Sequence, residues 1–362
     1  MEARLIRTRI LASAALASLF AMGACATVER PGPGAPVMAT LETPSVGTAG
    51  EDAADDPAIW AARSPALFNG ARIQGFVAGT DKKAGLYIYG LDGAVLQFLP
   101  DGLLNNVDVI EGLNVDGRSM VLLGASDRGA TRLGISLYLF DPASNDAANA
   151  VRPWGFVASD LDEPYGFCLA RVGDQVHAIL IGKDGQVRQS VIASDAANRP
   201  VATEVRRFAV GSISEGCAAD EASDALFISE EMVGVWRYGL SPASGAARTL
   251  VQPVGDGRLT ADVEGATVIH DGDKRYLIVS SQGDSGFGVW RLDQGQPVWI
   301  GRFAVHDGTV DGVTGTDGLD ALGGVVGPFP EGLVVVQDDV NDRGTQNFKY
   351  IDWRDIRRAL GL

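Results

Sequence analysis

The sequence predicts an all-β protein that folds as a single six-bladed β-propeller. Short apolar runs rich in β-branched and aromatic residues follow one another, with almost no helical periodicity between them. A loose pattern of strand, turn, strand, turn recurs about every 50 to 60 residues, a length typical of propeller blades. An acidic cluster stands near the start of each repeat. A β-sandwich, or a pair of them, is the alternative for the same strand content.

Residues 1–26 predict an export signal. Arginines are followed by an apolar stretch over residues 10–22, which is too short to span a bilayer, and then by small residues. Ala24-Cys25-Ala26 fits ordinary cleavage, whereas Met22-Gly23-Ala24-Cys25 resembles a bacterial lipobox that would leave Cys25 lipidated. We therefore expect an exported protein that is periplasmic, extracellular or an outer-membrane lipoprotein anchored through Cys25.

Residues 27–45 are rich in Pro, Gly and Thr and predict a flexible tether, which leaves residues 46–362 for the propeller. One helical pattern is clear, at Arg354–Leu360. Turn pairs such as Asp92-Gly93 and Asp184-Gly185 bound the strands. The clearest predicted strands are Ile73–Ala78, Leu86–Tyr89, Met120–Ala125, Ile135–Phe140, Tyr165–Arg171, Val176–Ile181, Ala225–Ser229, Gly234–Tyr238, Thr267–Ile269, Tyr276–Ser281, Gly286–Leu292 and Gly332–Gln337.

The chain carries a formal net charge of −16, which argues against nucleic acid or an anionic membrane surface as a partner. Seven short acidic clusters adjoin strand-like runs, and carboxylates at the ends of many strands converge only if those strands point at one place. Clusters with only oxygen ligands suit hard cations, calcium above all. The clusters are Asp55–Trp60, Asn105–Asp108, Glu163–Gly166, Glu215–Asp220, Asp262–Gly265, Thr316–Asp320 and Gln337–Asp339.

Apart from Cys25, two cysteines remain, and export permits a disulfide between them. Cys168 and Cys217 occupy similar places at the start of comparable strands, so a bond between neighbouring sheets is the first interpretation. Two separate buried thiols, packed as small hydrophobic groups, are the alternative.

A dozen short motifs, in one order from Asp52 to Trp353, resemble those of the β-propeller phytases. Each motif is weak alone, and the ordered set is specific. They are Asp55–Trp60, Lys82–Leu86, Asn105–Asp108, Ala125–Arg128, Tyr165–Phe167, Gly182-Lys183, Ser214–Gly216, Glu230-Glu231, Asp262–Gly265, Ser281–Gly283, Thr316–Gly318 and Gln346–Lys349.

The resemblance implies a monomeric calcium-dependent 3-phytase that hydrolyses inositol hexakisphosphate by direct attack of a calcium-activated water. Lower inositol phosphates and orthophosphate would be the products. It implies several calcium ions, which would turn the repulsion between an acidic pocket and phytate into attachment. The implied catalytic residues are Lys82, Arg128, Tyr165, Lys183 and Glu215. The implied metal ligands are Asp55, Asp56, Asp108, Glu215, Glu230, Glu231, Asp262, Glu264, Gln282, Asp311, Asp317 and Asp338.

Simpler interpretations exist for single residues. An Asp-Gly pair such as Asp317-Gly318 is usually a turn, a loop lysine such as Lys83 or Lys183 is usually solvated, and Tyr165 or Trp60 alone would predict packing between blades. Neither cysteine has an arginine six residues downstream, no histidine lies in an Arg-His-Gly sequence, and no Walker-type loop is present. These absences argue against a covalent phospho-enzyme and against nucleotide binding.

Two other functions fit a calcium-binding propeller. A non-catalytic binding module would keep the scaffold, but it would have little need of the full charged set. A calcium-dependent lactonase or esterase usually has His or Asn close to its metal, and none of His177, His270 and His306 adjoins an acidic cluster. Release of phosphate from phytate, with and without a chelator, separates the three functions.

Overall fold

Residues 32–362, the part described by the computed structural model, form six sheets that follow one another around a central channel. The prediction of a six-bladed β-propeller is confirmed. The predicted export signal at residues 1–26, with Cys25 and the cleavage site, lies outside the described residues, as do residues 27–31.

Two short N-terminal strands precede the first blade, and each of blades 1 to 3 is a four-stranded antiparallel sheet in chain order. The strands up to the end of blade 3 are β1 (Ala35–Met38), β2 (Leu41–Glu42), β3 (Ala54–Phe68), β4 (Ala71–Asp81), β5 (Gly85–Gly90), β6 (Val95–Leu99), β7 (Leu104–Val115), β8 (Arg118–Gly129), β9 (Arg132–Phe140), β10 (Arg152–Ala158), β11 (Pro164–Val172), β12 (Gln175–Gly182), β13 (Gln186–Ser194) and β14 (Pro200–Ala209).

Blades 4 and 5 repeat this order, and blade 6 takes only three strands from the C-terminal part of the chain. Their strands are β15 (Ser214–Asp220), β16 (Ala225–Glu230), β17 (Gly234–Gly239), β18 (Arg248–Pro253), β19 (Val263–Asp271), β20 (Lys274–Ser281), β21 (Gly286–Arg291), β22 (Val298–His306), β23 (Leu319–Gly323), β24 (Gly332–Asp338) and β25 (Asn347–Asp352).

The N-terminal strands close the ring. β1 pairs in parallel with β22 at the edge of blade 5, and β2 pairs with β25 as the outermost strand of blade 6. Over residues 32–45 the structure therefore differs from the tether that the Pro and Gly content of residues 27–45 predicts. Both strands lie on blade edges, where proline is tolerated because one side of the strand needs no partner. Joining the two ends of the chain in adjacent blades protects edges that would otherwise be open.

The blades pack face to face through apolar side chains that alternate with the pleat. Trp60, for example, is buried against Phe76 and Phe140 of the first two blades, with ring centroids 5.0 and 5.2 Å apart, so it packs as its residue type alone predicts. The first strand of each blade, β3, β7, β11, β15, β19 or β23, contacts the first strands of both neighbouring blades. These six inner strands line the channel, and their first residues lie together on one face, here called the top face.

Polar side chains fasten the inner strands to one another, in addition to backbone hydrogen bonds at the channel mouth such as that from the Gly265 N–H to the Asp317 carbonyl at 2.8 Å. The carboxylate of Asp108 accepts from the Leu169 N–H at 2.7 Å, and that of Asp320 accepts from the Ile59 N–H at 2.8 Å. A disulfide joins Cys168 on β11 to Cys217 on β15, so the prediction of a bond between neighbouring sheets is confirmed.

The C-terminal segment Trp353–Leu360 forms helix α1, as its sequence pattern predicts. Asp352 caps the helix through a hydrogen bond from the Arg354 N–H, and Gly361 ends it in a left-handed conformation. Trp353 and Ile356 are buried against blades 5 and 6. No helix within the described residues is long and apolar enough to cross a membrane.

Candidate active site

Six side chains at the top of the channel form an inner ring, one from each blade. In blades 1 to 5 the pairing of the first two strands shifts at a β-bulge two residues into the inner strand. A bulge re-aims side chains, and here it turns the residue at its start toward the channel mouth. In blade 6 the equivalent residue lies two positions before the start of β23. The inner ring consists of Asp55, Asn105, Tyr165, Glu215, Glu264 and Asp317.

Glycine follows the inner-ring residue in four blades because the next blade approaches closely there. A Cβ on Gly166 would lie 2.2 Å from the carbonyl oxygen of Glu215, and one on Gly216 would lie 2.1 Å from that of Glu264. Neither distance leaves room for a side chain. These close contacts hold the backbones of successive inner-ring residues against one another, so their carboxylates converge.

An outer ring surrounds the first, and it divides the top face by charge. In blades 1 to 5 the last pair before the bulge joins the first residue of the inner strand to a residue of the second strand. The outer-ring residue is the one that directly follows this second-strand residue in the sequence. Blades 1 to 3 contribute three cations, and blades 4 to 6 contribute acidic or amide side chains. The outer ring consists of Lys82, Arg128, Lys183, Glu231, Gln282 and Asp339. Cationic and acidic groups therefore face each other across the channel mouth.

Lys82 lies on the acidic side of this boundary. Its Nζ is 2.9 Å from Asp55 Oδ1, 2.9 Å from Asp317 Oδ2 and 2.8 Å from the exposed Asp52. Although burial lowers the pKa of Lys82, the charges of Asp55 and Asp317 raise it more, so the ammonium stays charged. Gln282 Nε2 donates to the other oxygen of Asp317. Lys82 is thus the cation that pairs with the carboxylates at one edge of the acidic half of the channel mouth, namely those of Asp55 and Asp317.

Three buried glutamates, here called the glutamate cluster, fill the other edge. Glu215, Glu231 and Glu264 offer carboxylate oxygens that all lie within 4.8 Å of one another. Among residues 32–362 none of the three makes an ion pair within 4.0 Å. Glu264 Oε2 is buried and accepts no hydrogen bond, and Asp55 Oδ2 close by is in the same condition. Uncompensated oxygens of this kind fit a hard cation such as calcium.

Burial and neighbouring carboxylates raise the pKa of every member of the glutamate cluster. Burial acts first on Glu215, followed by the charges of Asp55 and Asp317, and on Glu264 burial is followed by the charge of Glu215. Burial and the charge of Asp262 raise the pKa of Glu231. Burial also raises the pKa of Asp317 to about 8, although Lys82 opposes this shift. The cluster therefore needs either protons or a cation.

Tyr165 and Asn105 support Glu215 from the opposite side. Asn105 Nδ2 donates to Glu215 Oε1 at 2.7 Å. Burial raises the pKa of Glu215 and of Glu231, and the nearby Tyr165 hydroxyl opposes this shift at both. With its amide nitrogen turned toward Glu215, Asn106 donates to Glu215 Oε1 at 2.8 Å. These donors fix the position of the Glu215 carboxylate.

Comparisons with known proteins identify the family of this chain. The phytase family model matches residues 7–362. A 3-phytase of Bacillus subtilis strain 168 is 33% identical over 334 residues, which cover 90% of this chain and 85% of that protein. The chain belongs to the phytase family. It is accordingly a hydrolase of phosphoric monoesters.

Arg128 and Lys183, the other cations of this phytase-family site, share one carboxylate. Arg128 Nη1 is 3.5 Å and Lys183 Nζ is 3.6 Å from Glu163 Oε1. The Lys183 ammonium also lies 5.0 Å from the centre of the Tyr165 ring. Its side chain is 42% exposed, in contrast to 9% for Lys82. Lys183 therefore lies at the boundary between the channel mouth and solvent.

Two predicted metal ligands lie in a second acidic group, here called the blade-6 cluster. The buried Lys349 Nζ contacts Asp311 Oδ1 at 2.6 Å, Asp338 Oδ2 at 3.4 Å and the carboxylate of Glu42. Lys349 lowers the pKa of Asp311 against the effect of burial, whereas burial raises that of Asp338 to about 6. The structure thus separates Asp311 and Asp338 from the glutamate cluster.

Other predicted ligands lie apart from the glutamate cluster as well. Asp56 and Asp108 line the channel, where their carboxylates accept from backbone N–H groups of Val107 and Leu169. Glu230 accepts from Ser212 Oγ at 2.7 Å and from Trp236 Nε1 at 2.6 Å, inside blade 4. Of the pair at 230 and 231, the structure therefore brings only Glu231 to the site.

Asp262 is closer to the glutamates, since its charge raises the pKa of Glu231 in addition to burial.

Sequence reasoning missed Asn105 as a contact of Glu215 and Gln337 as a contact of Asp317. Gln337 Oε1 accepts from the Asp317 N–H at 2.9 Å. An alignment of the six repeats on their bulges would have found Asn105, because it occupies the inner-ring position of blade 2. Gln337 has no such signal in the sequence.

Proposed function

We propose that this protein is an exported, calcium-dependent phytase that removes one phosphate at a time from inositol hexakisphosphate. The observation that carries the proposal is the pairing of two opposite features at one channel mouth. Three buried glutamates, none of which makes an ion pair within 4.0 Å among residues 32–362, lie on one side. Arg128 and Lys183 lie on the other side, beside Glu163. Lys82 lies between the two sides, where it contacts Asp317. A highly charged phosphate ester would be repelled by the carboxylates alone. Cations bound by the glutamates, together with the lysines and the arginine, would reverse that repulsion.

Glu215, Glu231 and Glu264 are the residues that would hold calcium, with Asp55, Asp317 and Asp262 beside them. Calcium bound there would neutralise the carboxylates, polarise a phosphate oxygen and lower the pKa of a water molecule. Oxygen donors from several strands suit the flexible coordination of this ion. Lys82 already forms ion pairs with Asp55 and Asp317, whereas the glutamates make none within 4.0 Å among residues 32–362, so added positive charge has its largest effect at the glutamates.

The protein's own cations would hold the phosphate undergoing transfer. Arg128 presents a planar fork that matches two phosphate oxygens, whereas Lys183 acts as a point charge. Both would stabilise the negative charge on the equatorial oxygens in the transition state. Tyr165 would keep Glu215 in place through its hydroxyl and offer a neutral donor to the substrate.

The regiochemistry is a finer proposal. The Bacillus subtilis relative is named a 3-phytase, and we propose attack at the same position of the inositol ring here. Separation of the inositol pentakisphosphate isomers from a short digestion tests this point. A product lacking a phosphate at another position would overturn it.

One experiment tests the function itself. Purified protein is incubated with phytate, and orthophosphate release is measured with calcium, with a chelator, and after calcium is restored. We expect release with calcium, loss with the chelator and recovery on addition of calcium. Binding of phytate without release would indicate a binding module, and hydrolysis of lactones or carboxylic esters without phosphate release would indicate the other hydrolase class.

Export, lipidation and a monomeric state are part of the same proposal. The basic and apolar pattern of residues 1–26 supports export, and Cys25 supports lipidation. Mass spectrometry of the N-terminal peptide from the native host would distinguish a diacylated Cys25 from ordinary cleavage. Light scattering on the purified protein would test the monomer.

A further inference from the structure

Glu163 lies where a substrate phosphate would be expected to bind. It immediately precedes β11, and its carbonyl accepts from the Lys183 N–H at 3.0 Å, which fixes the two residues side by side. Its carboxylate oxygen Oε1 lies 3.5 Å from Arg128 Nη1 and 3.6 Å from Lys183 Nζ. The Glu163 carboxylate is thus an anion between two cations.

The contact is weak and open to solvent. Both distances are at the long end for an ion pair, and the Glu163 side chain is 44% exposed. Exposed ion pairs of this kind contribute little, so another anion can displace them. A cleft of about 550 Å³ opens directly at this point, and its charged lining residues are Lys82, Lys83, Arg128, Asp162 and Glu163. An incoming phosphate therefore reaches the pair without any movement of the backbone.

Glu163 also differs from the acidic residues assigned to calcium. Its only ion-pair partners within the described propeller are Arg128 and Lys183, and it is absent from the group of glutamates that converge on the channel mouth. A carboxylate that contacts only the two phosphate-binding cations competes with phosphate for the same donors.

We propose that Glu163 is an internal competitor of the substrate, a residue that lowers the affinity of Arg128 and Lys183 for phosphate until an anion of higher charge displaces it. The inference rests on the proposed function for the identity of the substrate. Its consequence is a preference for densely phosphorylated esters, because a multiply charged phosphate displaces the carboxylate more readily than a weakly charged one does.

The test compares Glu163→Gln with Asp162→Asn. The first variant removes the competing charge and keeps the size of the side chain. The second removes one charge from the adjacent exposed residue, which makes no ion pair among residues 32–362. Michaelis parameters for phytate, inhibition by inorganic phosphate and calorimetric binding of phytate to the metal-depleted protein are measured for both variants and for the wild type.

For Glu163→Gln we expect KM for phytate, the inhibition constant of inorganic phosphate and the calorimetric Kd all to fall about two- to fivefold. This range corresponds to one exposed ion pair. We expect kcat and the melting temperature to stay unchanged, and the effect to shrink at high ionic strength. Asp162→Asn should change these constants by less than about half as much, since its carboxylate contacts neither cation.

Three results would overturn the proposal. An unchanged or raised KM and Kd in Glu163→Gln would mean that Glu163 holds the cations in place for the substrate. An equal fall in Asp162→Asn would mean that only net charge matters. If the wild-type protein releases no phosphate, the proposed function fails, but calorimetry with phytate and inorganic phosphate still decides the role of Glu163.

Discussion

The blade-6 cluster and the glutamate cluster lie on the same face of the propeller, and each brings three carboxylates together out of water. In the blade-6 cluster Glu42, Asp311 and Asp338 all reach the ammonium of Lys349. In the glutamate cluster Glu215, Glu231 and Glu264 reach one another, and the nearby Lys82 contacts aspartates instead.

The difference shows how a fold can hold like charges close together. Where the chain supplies a buried cation, part of the repulsion is compensated when the protein folds. Where it does not, the carboxylates keep their protons or take a cation from solution. Metal removal should therefore be felt most strongly at the glutamate cluster.

Removing the cation of the blade-6 cluster should have the largest effect on stability. Lys349→Met leaves three carboxylates without their shared partner, and breaking a buried pair by removing one member typically costs about 3–5 kcal/mol. Urea unfolding of the variant in the presence of calcium measures this loss. Lys83→Met is the matched control, because Lys83 lies on the surface and makes a long ion pair of 3.8 Å with the exposed Glu51. Equal stabilities of the two variants would contradict the importance of Lys349.

Loss of the disulfide should have the next largest effect on stability. The bond lies near the glutamate cluster, because Cys217 is on the same strand as Glu215. Cys217 is two residues after Glu215, and the bond closes a loop with a sequence separation of 49 residues. The chain-entropy model gives roughly 4 kcal/mol for such a loop, an upper figure because strain reduces it. Reduction of the protein should lower the melting temperature accordingly, and the double variant Cys168→Ala, Cys217→Ala should behave as the reduced wild type does. No shift on reduction would rule out a stabilising bond.

The two clusters should also respond differently to pH. The pKa of Asp317 is raised to about 8 in the folded protein, and those of the three glutamates are raised as well. Between the ordinary carboxyl pKa near about 4 and the folded value, the folded state binds more protons than the unfolded state. Stability of the metal-depleted protein should therefore fall as pH rises, by about 1.4 kcal/mol per unit for each carboxyl that keeps its proton.

In the blade-6 cluster Asp338, whose pKa burial raises to about 6, acts in the same direction as the glutamates up to that pH, whereas Asp311 has the opposite sign. Its pKa is lowered by Lys349, so its contribution is present above the ordinary carboxyl pKa and is lost only in stronger acid. Urea unfolding at several pH values between 5 and 8, with and without calcium, tests the contrast. Calcium should flatten the slope, because it displaces the protons of the glutamates. A slope that does not depend on calcium would place the titration elsewhere.

Lys183 should show the smallest effect on stability and a clear effect on turnover. It lies in the turn after β12 and is 42% exposed, so Lys183→Met should change the free energy of unfolding by only about 0.5 kcal/mol. Loss of one preorganised contact to a transferring group typically costs 10² to 10³ in rate, and we expect phytate turnover to fall at least about tenfold. Near-wild-type turnover would make Lys183 a solvated turn residue, as its sequence alone allows.

The fold could be predicted from the sequence because strands and turns are local features. Runs such as Val176–Ile181 and turns such as Asp184-Gly185 fall where the structure has β12 and the following turn. The strands β1 and β2 could not be predicted, because segments of four and two residues beside prolines show no periodicity. Only their pairing with distant blades makes them strands. For the same reason a tether was the expectation for residues 27–45.

The candidate site also has features that the sequence predicts and features that only the fold creates. Acidic residues near strand starts predicted a common face, and Glu215, Glu264 and Asp317 do lie together at the channel mouth. The sequence could not tell Glu231 from Glu230, since a shift of one residue sends the side chain into the blade. Nor could it place Asp311 beside Lys349, because that contact joins residues 38 positions apart through the fold of blade 6.

The most direct test of the account is calcium binding by Glu264→Gln, measured by titration calorimetry at pH 8 beside phytate hydrolysis. Glu51→Gln is the control, since it removes the same charge from an exposed residue of the top face. We predict that Glu264→Gln binds at least one calcium ion fewer or at least about tenfold more weakly, with phosphate release reduced by about 10² or more. Glu51→Gln should keep both properties. Wild-type calcium binding and turnover in Glu264→Gln would contradict the assignment of the glutamate cluster as the metal site.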